Sequence, residues 1–126
     1  MAGPLILVVE DNPLNMKLVR DVLLASGYEV VGTTTAEEGL EVARQRAPAL
    51  VVMDIQLPGM DGITALRELR KDPSTRAIPV MAVTASVMQS ERQEVMAAGF
   101  DGYQSKPLSV KDLLAEVRKL LVPSGS

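Results

Sequence analysis

A chain of 126 residues fits one compact domain, and at that size folding buries roughly 65–70% of the surface the unfolded chain exposes. The formal net charge of -3 gives no basic stripe for nucleic acid. The absence of cysteine removes disulfides, thiol nucleophiles and thiolate zinc sites, and the absence of histidine removes Ser–His catalysis and any phosphoryl donation from the chain's own histidine.

No apolar run approaches a membrane span, and the N-terminus lacks the charged and long apolar segments of a signal peptide. The expectation is a soluble cytoplasmic protein with no membrane or nucleic-acid partner.

The first strand is Leu5-Ile6-Leu7-Val8-Val9, which runs straight into Glu10-Asp11. Pro13 suits a first helical turn, where its missing N–H costs nothing. The helix behind it carries Leu14, Leu18 and Val22 on one row, with Met16, Val19 and Leu23 beside it, and Gly27 stops it. Tyr28 to Thr33 reads as strand two. Thr35 with Glu38 forms a capping box for a helix through Leu40, Val42 and Ala43.

Strand three is Ala49 to Asp54. Leu57-Pro58-Gly59-Met60 then places Pro and Gly as a type II turn requires. Asp61 caps a third helix that ends before Pro73. Strand four is Pro79 to Val83, running into Thr84. Ser86 with Gln89 caps a fourth helix that stops at Gly99. Strand five is Gly102 to Ser105, running into Lys106-Pro107. Ser109 with Asp112 opens a fifth helix through Leu113, Leu114, Val117, Leu120 and Leu121. The domain is read as residues 1–122, with 123–126 as a flexible tail.

Strict strand–helix alternation predicts an α/β fold: a parallel sheet with helices on both faces. Among five-stranded orders, the flavodoxin-like (βα)5 order 2-1-3-4-5 puts the topological switch point between strands one and three. Ligands in such sheets bind outside the carboxyl ends of the strands. Glu10, Asp11, Asp54, Thr84 and Lys106 all stand at those ends. Three converging carboxylates repel one another, and an oxygen-liganded Mg²⁺ relieves that repulsion and suits phosphoryl transfer. The rim therefore predicts a metal-assisted phosphoryl site.

Rival sites are absent from the sequence. There is no G-x-G-x-x-G, no P-loop and no G-x-S-x-G elbow. Asp54-Ile55-Gln56 lacks the second aspartate of aspartyl-phosphate phosphatases. The carboxylates after strand one would repel the phosphate that flavodoxins hold with a hydroxyl-rich loop.

Four segments, each closing a strand, carry a resemblance. They are Ile6-Leu7-Val8-Val9-Glu10-Asp11-Asn12, Val52-Met53-Asp54-Ile55-Gln56-Leu57-Pro58-Gly59-Met60-Asp61-Gly62, Val83-Thr84-Ala85, and Ala98-Gly99-Phe100-Asp101-Gly102-Tyr103-Gln104-Ser105-Lys106-Pro107. In that order they resemble the receiver domain of two-component response regulators, the CheY-like superfamily, over nearly the whole chain. The opening through Asn15 is similar to that of single-domain regulators like DivK and to the receivers of hybrid histidine kinases.

The resemblance implies that Asp54 accepts a phosphoryl group from a phosphohistidine on a histidine kinase or histidine phosphotransfer protein. It implies Mg²⁺, with Mn²⁺ able to substitute, held by Asp11 and Asp54, by Glu10 through water, and by the backbone carbonyl of Gln56. Thr84 and Lys106 would contact the phosphoryl group, Tyr103 would be the switch aromatic, and the Lys106–Pro107 bond would be cis. Gln56 and Ser86 fall where the family tunes dephosphorylation.

A downstream protein would read the face made by helix four, strand five and helix five. Ala115-Glu116-Val117 lacks the arginine of dimeric transcription-factor receivers, so a monomer or weak dimer is expected. The protein is then a phosphoacceptor switch, not an enzyme beyond its self-directed phosphoryl transfer and autodephosphorylation. Two further readings stay open. One is a receiver cut from a hybrid kinase; the other is a pseudo-receiver that binds without being phosphorylated.

Overall fold

The computed structural model describes residues 3–85, 89–106 and 108–121. Strands and helices alternate as β1 (Leu5–Val9), α1 (Pro13–Ala25), β2 (Glu29–Thr33), α2 (Ala36–Arg46), β3 (Leu50–Asp54), α3 (Gly62–Lys71), β4 (Val80–Thr84), α4 (Gln89–Ala97), β5 (Gly102–Ser105) and α5 (Val110–Leu121). The strands form one parallel sheet in the order β2-β1-β3-β4-β5, so the expected flavodoxin-like topology holds. The tail at 123–126, the Ser86 cap and the isomer of the Lys106–Pro107 bond lie outside the described residues.

β3 and β4 are buried along their whole length, which is why they read as uninterrupted apolar runs. Alternate residues of the central strands serve opposite faces. Leu7, Val9, Val51, Met53, Val80 and Ala82 pack with side chains of α2, α3 and α4. Ile6, Val8, Leu50, Val52, Met81 and Val83 pack with Val19 and Leu23 of α1 and Leu113 and Val117 of α5.

The helix starts follow the cap residues. Asn12 accepts from the Leu14 and Asn15 N–H groups, with Pro13 at the first helical position, and Asp61 accepts from the Thr64 N–H. Thr35 accepts from the Glu38 N–H at 3.1 Å, but Glu38 Oε1 takes the Thr34 and Thr35 hydroxyls in place of the Thr35 N–H of a reciprocal box. Gly59 has φ 77°, as the third residue of a type II turn needs.

Of the two apolar rows read on α1, the one with Met16, Val19 and Leu23 faces the sheet: Val19 and Leu23 are buried, whereas Leu14 and Leu18 are 78% and 37% exposed. Met16 lies over Gly32 of β2, so close that a β-carbon there would stand 2.9 Å from its sulfur. With that face against the sheet, Leu14 and Leu18 lie outward.

Candidate functional site

Because β1 and β3 are neighbours, and the chain leaves them toward opposite sides of the sheet, their carboxyl ends bound a crevice. Glu10 follows β1 and Asp54 ends β3; each is 3% exposed. Asp11 is exposed at the mouth, and one carboxylate oxygen from each of Glu10, Asp11 and Asp54 lies within 4.8 Å of the others. The loops hold these groups in place. The Asn12 N–H donates to Glu10 Oε2 at 3.2 Å, and the Gln56 N–H donates to Asp54 Oδ1 at 2.9 Å. At Gly62 the α3 backbone presses against the chain leaving β3: a β-carbon there would stand 2.8 Å from Ile55 Cα and 2.9 Å from the Asp54 carbonyl oxygen.

Lys106 completes the crevice from β5. Its Nζ is 3.0 Å from Glu10 Oε1 and 3.0 Å from Asp54 Oδ2. Its backbone N–H donates to the Thr84 carbonyl at 2.8 Å, which fixes the point where the chain leaves the sheet. Thr84, 3% exposed, ends β4 opposite Ser105. The expected residues Glu10, Asp11, Asp54, Thr84 and Lys106 thus stand at one rim. Tyr103 lies deeper along β5, opposite Ala82, half-buried against the cluster under α4.

The electrostatics follow from burial with incomplete compensation. Desolvation pushes the Glu10 carboxyl up from 4.5 to about 7, and its hydrogen bond with Asp54 adds to the rise. Lys106 and the Asn12 N–H pull the other way. Burial works against the charge on Lys106, but its hydrogen bonds with Asp54 and Glu10 prevail and raise its pKa. The three carboxylates of Glu10, Asp11 and Asp54 are hard oxygen ligands gathered at one point, and they fit a divalent cation such as Mg²⁺.

Three contacts have no sequence pattern to announce them. The Ala85 N–H donates to Gln56 Oε1 at 3.4 Å, tying the loop after β3 to the loop after β4. Arg92 of α4 stands over the Tyr103 ring at 5.1 Å. A cavity of about 530 Å³ opens beside the crevice, lined by Glu10, Asp11, Met16, Arg20 and Thr34 among others. All three depend on side chains from separate elements, whereas a motif records only neighbours in sequence.

This fold and rim define a class: a doubly wound parallel domain that gathers carboxylates and one ammonium at its switch point. Residues 6–118 match the response regulator receiver domain family, and the chain belongs to that family. It is 42% identical over 116 residues to the polar-differentiation response regulator DivK of Brucella ovis, covering 92% of this chain and 94% of that one.

Among solved structures it resembles the receiver domain of the sensor histidine kinase PA1611 of Pseudomonas aeruginosa, which has a magnesium ion coordinated in its active-site cleft. That likeness has a TM-score of 0.90 and 31% identity over 97% of this chain and 100% of that one. The chemotaxis response regulator CheY4 of Vibrio cholerae shares the fold, with a TM-score of 0.88 and 24% identity over 95% and 100% of the two chains.

Receiver domains are switches of two-component signalling that bind Mg²⁺ in an acidic pocket and work with histidine kinases or phosphotransfer proteins and downstream partners. No helix of the described residues is long and apolar enough to cross a membrane.

Proposed function

We propose that this domain is an aspartyl-phosphate switch whose phosphoacceptor is Asp54. The observation that carries the reading is the double contact of Lys106 with Asp54 and Glu10 at 3.0 Å each. A buried carboxylate at a strand end is thereby held next to a cation and two more carboxylates, as phosphoryl transfer requires.

A carboxylate oxygen of Asp54 attacks the phosphorus of a partner's phosphohistidine. The P–N bond breaks as the O–P bond forms, and the imidazole leaves and takes up a proton. Bound Mg²⁺ supplies neutralisation of charge between the phosphoryl oxygens and the carboxylates. Asp11, Asp54 and the Gln56 carbonyl would hold it, with Glu10 acting through water, and Mn²⁺ substituting. Lys106 releases Glu10 and keeps a charge-assisted hydrogen bond for the incoming phosphoryl oxygen. The Thr84 hydroxyl donates to a second oxygen. Tyr103 then follows Thr84 inward and reshapes the face of α4, β5 and α5 for a downstream protein.

The donor is a histidine kinase or histidine phosphotransfer protein. Leu14, 78% exposed three positions beyond Asp11, offers that partner an apolar foothold beside the rim. Turnover is confined to the domain's own phosphoryl group, since Ile55 and Gln56 supply no second carboxylate for a phosphatase.

Incubation with acetyl phosphate and Mg²⁺, followed by intact-mass measurement, tests the assignment. The wild type should gain one phosphoryl group, and Asp54→Ala none. A stable gain in Asp54→Ala overturns the choice of acceptor, and no gain in the wild type leaves a binding module instead.

A further inference from the structure

Arg92 lies on the outer side of α4, exposed, with its guanidinium carbon 5.1 Å from the centre of the Tyr103 ring. Of the described side chains of the helix, Val95 and Met96 stand three and four positions away, and Glu94 falls at a spacing that faces elsewhere. Among the described residues it makes no salt bridge. The face of the Tyr103 ring is an attractive site for this cation.

The helix that bears Arg92 is lightly anchored. Of the described side chains of α4, Val95 alone is buried, whereas α2 and α3 each bury four residues. On such a helix one contact to the neighbouring strand carries weight. Tyr103 points to the same side of the sheet as Ala82, its partner in register, and packs half-buried against the cluster below α4. An inward turn would carry the ring away from a guanidinium that stays at the surface.

We propose that Arg92 is a latch: its stacking on Tyr103 holds the ring in the half-buried position, pins α4 to β5, and so sets how readily the domain enters its switched form. The inference rests on the reading of Asp54 and Tyr103 above, and adds a positioning residue that the family motifs do not contain. An exposed cation–π contact shifts a two-state equilibrium by about two- to fivefold. A phosphoryl mimic binds the whole population with an affinity reduced by the fraction held in the latched form.

The experiment uses the whole domain with Arg92→Ala, Arg92→Met and Arg92→Lys. The Met variant keeps an apolar stem without charge, and the Lys variant keeps a cation. Ring signals of Tyr103 are read by NMR on ¹³C-tyrosine-labelled protein, with Tyr28→Phe separating the two tyrosines of the chain. Beryllofluoride affinity with Mg²⁺ is measured on the same samples.

The latch predicts that Arg92→Ala and Arg92→Met both shift the Tyr103 ring signals and bind beryllofluoride about two- to fivefold more tightly, with Arg92→Lys close to wild type. Ring signals unmoved in Arg92→Ala, unchanged affinity in Arg92→Ala, or a wild-type response in Arg92→Met each overturn the latch alone. A wild type that ignores beryllofluoride overturns the functional reading and the coupling together.

Discussion

The Lys106 ammonium stands 3.0 Å from Asp54 Oδ2, joining the ends of β5 and β3 across 52 positions of sequence. The same nitrogen is 3.0 Å from Glu10, so one cation serves two buried carboxylates. Removing it leaves both without a counter-charge, and the penalty is that of unpaired buried ions. Lys106→Met should lower stability by roughly 2 kcal/mol at pH 8 without divalent cations, and by less at pH 5, where Glu10, with its raised pKa of about 7, holds a proton. Urea denaturation at the two pH values checks this; equal losses at both would contradict it.

Glu10 gives the domain a pH dependence of unusual sign. Its pKa rises on folding from 4.5 to about 7, so between those values the folded chain holds more proton than the unfolded one. Stability without metal should therefore be greatest near and below pH 4.5 as far as this group is concerned, and should decline by about 1–2 kcal/mol as pH rises through 7. A bound divalent cation displaces that proton, so Mg²⁺ affinity should rise over the same interval. Melting curves with and without Mg²⁺ across the range, in wild type and Glu10→Gln, give the comparison. A slope that persists in Glu10→Gln assigns the effect elsewhere.

Arg70 closes the opposite end of the sheet. Its guanidinium donates to the Arg76 carbonyl at 2.9 Å, to the Ile78 carbonyl at 2.7 Å and to Asp101 Oδ2 at 2.8 Å, and the same Asp101 oxygen accepts from the Val80 N–H. α3, the start of β4 and the approach to β5 meet in one fork. Arg70→Ala should cost about 1–3 kcal/mol of stability, because two carbonyls and a carboxylate lose a charged donor together. Mg²⁺ affinity should not change, since the rim lies at the other ends of the strands. A large loss of affinity with little loss of stability would reverse that assignment.

Ala47 ends α2 in the left-handed region, at φ 44° and ψ 62°. A β-carbon is unfavourable there, and glycine is the residue that relieves it. Ala47→Gly should raise stability by about 0.5–1 kcal/mol in spite of the greater freedom of the unfolded chain. The urea midpoint should move upward with an unchanged slope; a lower midpoint would show that the strain is absorbed elsewhere.

The strands were readable because a buried parallel strand is a short apolar run, and its end is marked by the first charged or hydroxyl residue. Asp54 and Thr84 close β3 and β4 at such boundaries. The caps at Asn12 and Asp61 act on residues two or three positions away, which places both within reach of local sequence.

The orientation of α1 was not readable. Leu14, Leu18 and Val22 form an apolar row as regular as the one with Met16, Val19 and Leu23, and which row faces the sheet depends on contacts between separate elements, Met16 against Gly32 among them. Arg92 over Tyr103 and Gln56 with Ala85 were invisible for the same reason.

The alternation of side chains along β4 divides labour in heritable form. Val80 and Ala82 belong to the side on which Tyr103 packs, while Met81 and Val83 belong to the side of α1 and α5. A codon change at Met81 or Val83 is therefore felt first by α1 and α5 across the sheet from the tyrosine ring, and one at Ala82 first by the tyrosine's own compartment. The sheet acts as a partition wall, so exchanges of packing residues on its two sides are recorded in residues of opposite parity.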